Sequence, residues 1–243
     1  MNVTYLRFEV LRTLRNWRFL VFSLGFPVVL FFSIAGAHRS ATVDAVSFPL
    51  YFMTGMAAWG TMVATISSGA RIAAERQFGW TRQMRITPLP ARTYFMAKIL
   101  SGYLMALLTL AVLYLAGISL GVRLSGGGWL RMTVLILVGL IPFAVIGILL
   151  GHLMKVDSLG PALGGITTLF ALLGGAWGPF ATGGLFLTVV KCLPSYWLVQ
   201  AGKSAVETGG WPPAEAWIVI AVWTLIVARL AVVVYQRDTA RSS

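Results

Sequence analysis

The chain has 243 residues, 58% of them apolar and only 11% charged, with a mean hydropathy of +0.84; an average soluble domain carries about 25% charged residues, so this composition leaves no polar skin for a water-soluble core and makes lipid the solvent. The 19 Lys and Arg against 7 Asp and Glu give a net charge of +12, which in such a chain belongs to the loops on one face of a bilayer and not to a nucleic-acid surface. Cys192 is the single cysteine, which excludes an internal disulfide, and no Cys/His cluster has metal-ligand spacing.

In chain order, residues 1–18 come first. Val3, Leu6, Val10, Leu14 and Trp17 recur at steps of three and four, with Arg7, Arg12, Arg15 and Arg18 to one side. That pattern predicts an amphipathic helix lying in the headgroup layer. A hydrocarbon core of about 30 Å needs roughly 20 helical residues, and six stretches qualify: 19–37, 48–70, 94–121, 132–154, 159–177 and 216–235. The even number puts both termini on one face. With that face inside, only Arg39, Arg123, Arg131, Lys191 and Lys203 of the 19 basic residues fall outside, so the termini are expected to be cytoplasmic. Ala35-Gly36-Ala37 looks like a signal-peptidase site, yet the apolar run before it exceeds the roughly 7–15 residues of a signal h-region. The expected fold is one all-α, six-span transmembrane domain covering 1–243, with no soluble module.

Between the fifth and sixth spans, 178–212 contains the apolar patch Leu185–Val190, too short to cross and interrupted by Lys191, Pro194 and Lys203. It reads as a re-entrant or interfacial element on the outer side. Glycines four apart, Gly117/Gly121, Gly147/Gly151, Gly160/Gly164 and Gly174/Gly178, permit close helix approach. Thr54, Thr61, Thr65 and Ser68 share one face of the second span, and Thr167 lies in the fifth. These hydroxyls either pack on a neighbouring helix or line a substrate path. No span centre carries Asp, Glu, Lys or Arg, so a proton- or ion-coupled carrier has little to work with. No catalytic constellation, nucleotide-binding motif or cofactor site is present, and enzymatic activity is not expected in the chain itself.

The sizeable polar stretch is 71–93. Glu75 to Thr87 is helix-compatible apart from Gly79, and Pro88 and Pro90 close it before the third span. Its arginines alternate with Phe78, Trp80, Met84 and Ile86, a pattern suited to a groove on a soluble partner. Without ion chemistry of its own, a transporter bundle needs an external energy source, and this loop is where it would be received. The alternative is a non-transporting scaffold that recruits a cytoplasmic protein through the same loop.

The pattern Glu75-Arg76-x-x-Gly79-x-x-x-x-Met84-Arg85-x-Thr87-Pro88-Leu89 resembles the signature of ABC-2 type export permeases and occupies the expected place between spans two and three. Leu193-Pro194-Ser195-Tyr196-Trp197 is similar to that family's re-entrant segment before the last span. The resemblance covers essentially the whole chain. It implies a bacterial inner-membrane half-transporter: a second permease copy or related subunit completes the unit, and two cytoplasmic ATPase subunits bind ATP and Mg. It further implies coupling roles for Glu75, Arg76, Gly79, Arg82, Arg85 and Pro88, and a re-entrant segment including Pro194, Tyr196 and Trp197. The cargo implied is an amphipathic or hydrophobic small molecule, lipid or glycan, with the small drug- or antibiotic-export type as the nearest likeness.

Overall fold

The computed structural model describes residues 3–15, 21–43, 46–79, 91–178, 183–207 and 210–240, and the described residues are overwhelmingly helical. Helix α1 (Val3–Arg15) precedes a π-helical turn (Val21–Gly25) that leads into α2 (Phe26–Ala37). A two-residue antiparallel ladder, β1 (Thr42–Val43) with β2 (Val46–Ser47), reverses the chain. Then follow α3 (Phe48–Ala70), the short α4 (Ile72–Gln77), and α5 (Ala91–Ser119). Pro142 at the start of α7 divides a long rod into α6 (Gly126–Gly139) and α7 (Ile141–Leu153), since proline fits only the first helical turn. Helices α8 (Val156–Gly174), α9 (Gly184–Lys191), α10 (Pro194–Glu207) and α11 (Ala214–Ala240) complete the order.

Helix α3 is the axis of the bundle. It packs on α2, α5, α7, α8 and α10, and Met53, Met56, Met62 and Ile66 are among its wholly enclosed side chains. Glycines allow that crowding. A Cβ on Gly147 would lie 2.5 Å from the Ile66 carbonyl oxygen, and one on Gly69 would lie 2.6 Å from the Gly147 backbone. The Gly147/Gly151 pair therefore brings α7 against α3 backbone to backbone. Gly160 and Gly164, by contrast, have open space in front of them.

Among the described residues, four stretches are long and apolar enough to cross a membrane: 92–119, 126–153, 156–174 and 214–237. The pair α9 and α10, bent by 90°, makes a fifth if it counts as one span. Of the six predicted stretches, 48–70 forms a 23-residue helix that its hydroxyls and glycines keep less apolar, and it is sheathed by other helices where a lipid-facing helix would need an oily surface. The stretch 19–37 yields a 12-residue α-helix behind the π turn, with 16–20 outside the described residues.

Three predicted boundaries are corrected. The expected fifth span through Trp177 stops at Gly174, where Gly175 takes φ +77°, a left-handed conformation that favours glycine. Likewise the expected loop helix over Glu75–Thr87 begins earlier, at Ile72, and ends at Gln77, with Gly79 at φ +70°; 80–90 lie outside the described residues. The segment 178–212 holds more helix than its short apolar patch predicts, because α10 buries Trp197, Leu198 and Val199 against α6 and α3.

Candidate functional site

The first half of the loop signature is buried. Glu75, 2% exposed, sits where α1, α4 and α5 converge. Its Oε1 accepts from Arg12 Nη1 at 2.8 Å and also from Lys98 Nζ, while Oε2 accepts from Tyr94 Oη at 2.6 Å. Lys98, 1% exposed, bridges onward to Glu9 Oε1 at 2.6 Å. Two carboxylates and two cations thus form one network, with its members supplied by three helices. Tyr94 and Lys98 are four apart in α5 and lie one turn above the other on the same face. Glu9 and Arg12 are three apart in α1 and meet the network from the other side.

Hydroxyls knit the same junction. Thr13 Oγ1 and Ser101 Oγ are 3.0 Å apart, Arg71 Nη1 donates to Thr13 Oγ1 at 2.8 Å, and Ser68 Oγ donates to the Lys98 carbonyl at 3.2 Å. Burial pushes the Arg71 guanidinium below its ordinary value, with Glu9 pulling it back. Arg76 points elsewhere. Its Nη1 donates to the Gly151 carbonyl at 3.3 Å and to that of His152, so a cation caps the last turn of α7, where carbonyls lack helical partners and the helix dipole is negative. Helix α4 is thereby held by α1 and α5 through Glu75 and by α7 through Arg76.

The signature then turns outward. Gln77 is exposed and Phe78 is 81% exposed, and Gly79 directs the chain onward through its left-handed turn. Arg82, Arg85 and Pro88 lie outside the described residues. Among its described residues, the motif read from the sequence as one docking surface divides into an internal anchor, Glu75 and Arg76, and the exposed Gln77 and Phe78.

The hydroxyl face of α3 is also buried. Thr54, Thr61 and Thr65 donate to the carbonyls of Tyr51, Ala57 and Thr61 at 2.7, 2.7 and 2.8 Å, and Thr167 in α8 donates to Leu163 at 2.7 Å. Gly202 of α10 rests on Thr54, and Gly102 of α5 rests on Thr65 and Ser68. Within one copy of the chain this face packs on its neighbours. At the tip of α8 the backbone meets α3 closely: a Cβ on Gly55 would be 1.9 Å from the Ala176 oxygen, and Trp177 lies edge-on to Trp59 at 5.4 Å. Pro194 opens α10 and Tyr196 lies edge-on to Trp197 at 5.1 Å. The 90° bend before α10 is pinned by two indoles, Trp197 Nε1 donating to the Lys191 carbonyl and Trp223 Nε1 to that of Cys192, both at 2.7 Å. Sequence reasoning missed Glu9, Arg12, Tyr94 and Lys98 as partners of Glu75. One signal pointed to the first: Glu9 is the lone acid in the basic helix α1.

Two comparisons with known proteins agree with this architecture. The model of the "ABC-2 family transporter protein" family matches residues 37–233. A Bacillus subtilis (strain 168) protein named "Putative transport permease YvfS" is 26% identical over 235 residues, which is 96% of this chain and 96% of that protein. The matched region takes in α3, the anchored loop, the α8 tip and the pinned bend, and the chain is a multi-pass membrane protein that belongs to the ABC-2 transporter family.

Proposed function

We propose that the chain is the membrane-spanning permease subunit of an ATP-driven exporter, moving an amphipathic or hydrophobic small molecule, lipid or glycan out of the cytoplasm. A separate cytoplasmic ATPase, in two copies, hydrolyses ATP with Mg, and a second permease completes the pathway. The observation that carries the reading is the anchored loop. A segment that receives force from a partner must be rigidly joined to the helices it moves, and Glu75 and Arg76 join α4 to α1, α5 and α7. A loop serving only as a tether for a recruited protein needs no such attachment.

In this reading the ATPase seats on the exposed Phe78 and on the sequence that follows it, where the motif carries Arg82 and Arg85, while Glu75 and Arg76 transmit. The Lys and Arg asymmetry supports a cytoplasmic placement of this loop and both termini, in a bacterial inner membrane as the family likeness implies, with α2 and α3 joining the four long apolar stretches to give six crossings. The bent α9–α10 pair is then re-entrant from the outer side. The permeant passes between two copies of the chain beside α3 and α8; Trp59 Nε1 and Ser195 Oγ, buried without a hydrogen-bond partner among the described residues near the α8 tip, are donors that its polar groups would engage if the tip moves aside.

The test is ATPase turnover of the purified complex in liposomes. Lys98→Met should leave the partner bound but uncouple its hydrolysis from transport, whereas deleting 78–87 should release the partner. Full transport by the deletion variant would sink the coupling role and favour the scaffold reading.

A further inference from the structure

Phe8, Leu11, Arg12 and Arg15 follow one another at helical steps of three, one and three, so they share one face of α1. They line an open groove of about 560 Å³. Phe8 and Leu11 are exposed in it, and Arg12 presents a side chain that is 55% exposed. The lone acid of the helix, Glu9, is turned inward to Lys98, so the outer face of α1 has no anion of its own. Arg15 makes no ion pair with the described residues. Of the five donors on a guanidinium, Arg12 is seen to commit one, to Glu75 at 2.8 Å.

We propose that this face binds a phospholipid with an anionic headgroup, and that the lipid shares Arg12 with Glu75. Two guanidinium groups one turn apart suit a phosphodiester, which accepts from planar forks. The flanking Phe8 and Leu11 suit the first carbons of the acyl chains, as in interfacial helices generally. Charge complementarity and the apolar pair together favour a lipid over an acidic soluble protein, which would leave Phe8 and Leu11 against water. Sharing follows from the network. Glu75 retains Lys98 and Tyr94 when Arg12 turns away, so Arg12 is its exchangeable partner. Anionic lipid therefore loosens one of the ties between α1 and the loop, and membrane charge sets how firmly α1 and α4 move together. The inference stands on α1 and its contact with Glu75 and does not depend on the export reading.

The experiment is native mass spectrometry of the purified full-length chain titrated with dioleoyl phosphatidylglycerol or dioleoyl phosphatidylcholine, which have the same acyl chains and different charge. Phosphatidylglycerol should bind more tightly. Arg15→Gln should weaken it about fivefold, from the contribution of one basic residue near an anionic surface, and leave phosphatidylcholine unchanged. Glu75→Gln should tighten phosphatidylglycerol by a similar factor, because the carboxylate that holds and neutralises Arg12 is gone. Equal binding of the two lipids, or phosphatidylglycerol binding untouched by Arg15→Gln, overturns the site. Unchanged affinity in a folded Glu75→Gln variant overturns the sharing. Arg15 lies outside the buried network, so the test of the site does not depend on Glu75→Gln folding. Displacement of phosphatidylglycerol by a soluble polyglutamate peptide at far lower concentration would assign the face to an acidic protein and overturn the proposal.

Discussion

Lys98→Met is the sharpest probe of the junction. The ammonium is fully enclosed and stands between the carboxylates of Glu9 and Glu75, which are 5% and 1% exposed as side chains. Methionine fills similar volume but leaves Glu9 without its cation and Glu75 with only Arg12 and Tyr94. Removing one partner of a buried ion pair costs about 3–5 kcal/mol, because an uncompensated charge stays behind. Arg12→Ala breaks a contact to the same carboxylate from a side chain that is 55% exposed, and half-exposed pairs contribute at most about 1 kcal/mol. The two variants should differ several-fold in destabilisation. Thermal unfolding in detergent, followed by tryptophan fluorescence, measures both. The triple variant Glu9→Gln, Glu75→Gln, Lys98→Met, which discharges both carboxylates and the enclosed ammonium and leaves only the half-exposed Arg12 of that network charged, should recover most of the loss. Equal, small losses in Lys98→Met and Arg12→Ala, or a triple variant no better than Lys98→Met, would refute the reasoning.

Three further outcomes are expected. Gly147→Ala should destabilise the chain by about 1–3 kcal/mol through overpacking against Ile66, whereas Gly164→Ala, facing open space, should leave the isolated chain as stable or gain up to about 1 kcal/mol in helix propensity; thermal unfolding compares them. Trp223→Phe removes the donor to the Cys192 carbonyl and costs about 0.5–1.5 kcal/mol. Since Cys192 is the lone, exposed thiol, a faster maleimide reaction of that residue should report a loosened bend. Arg76→Gln removes the cation from the last carbonyls of α7, and amide hydrogen exchange should quicken at Leu150–Met154 while that of the α3 centre stays unchanged.

Much of this architecture was legible because lipid imposes simple rules. Apolar length located the helical rods expected over 94–121, 132–154, 159–177 and 216–235, with ends off by as many as six residues, and the Gly147/Gly151 spacing anticipated the tight approach of α7 to α3. The misses have physical causes. Gly174/Gly178 has the same spacing as Gly147/Gly151, yet Gly175 adopts a left-handed turn and ends the helix between them. Helix α10 was hidden because its apolar side is broken by Lys203, whose ammonium reaches Tyr51 Oη at 2.9 Å inside the bundle. Glu75 read as part of a docking loop because Arg76, Gln77 and the arginines beyond them are polar. Its actual partners lie as many as 66 positions away by number, at Glu9 through Lys98 and at Arg12, and local periodicity says nothing about which charges converge from separate helices. The two-part nature of the loop signature is likewise a tertiary fact, set by where α1 crosses α4 and α5.

In the proposed mechanism this permease works through a loop held by Glu75 and driven by a partner ATPase. The most direct test of that mechanism is purification of the tagged chain from its native membranes in mild detergent, with companions identified by mass spectrometry. An ATPase subunit in equal number with the permease, lost when 78–87 are deleted and retained in Lys98→Met, is the predicted result. Recovery of the chain alone, or with a protein that hydrolyses no nucleotide, would contradict it.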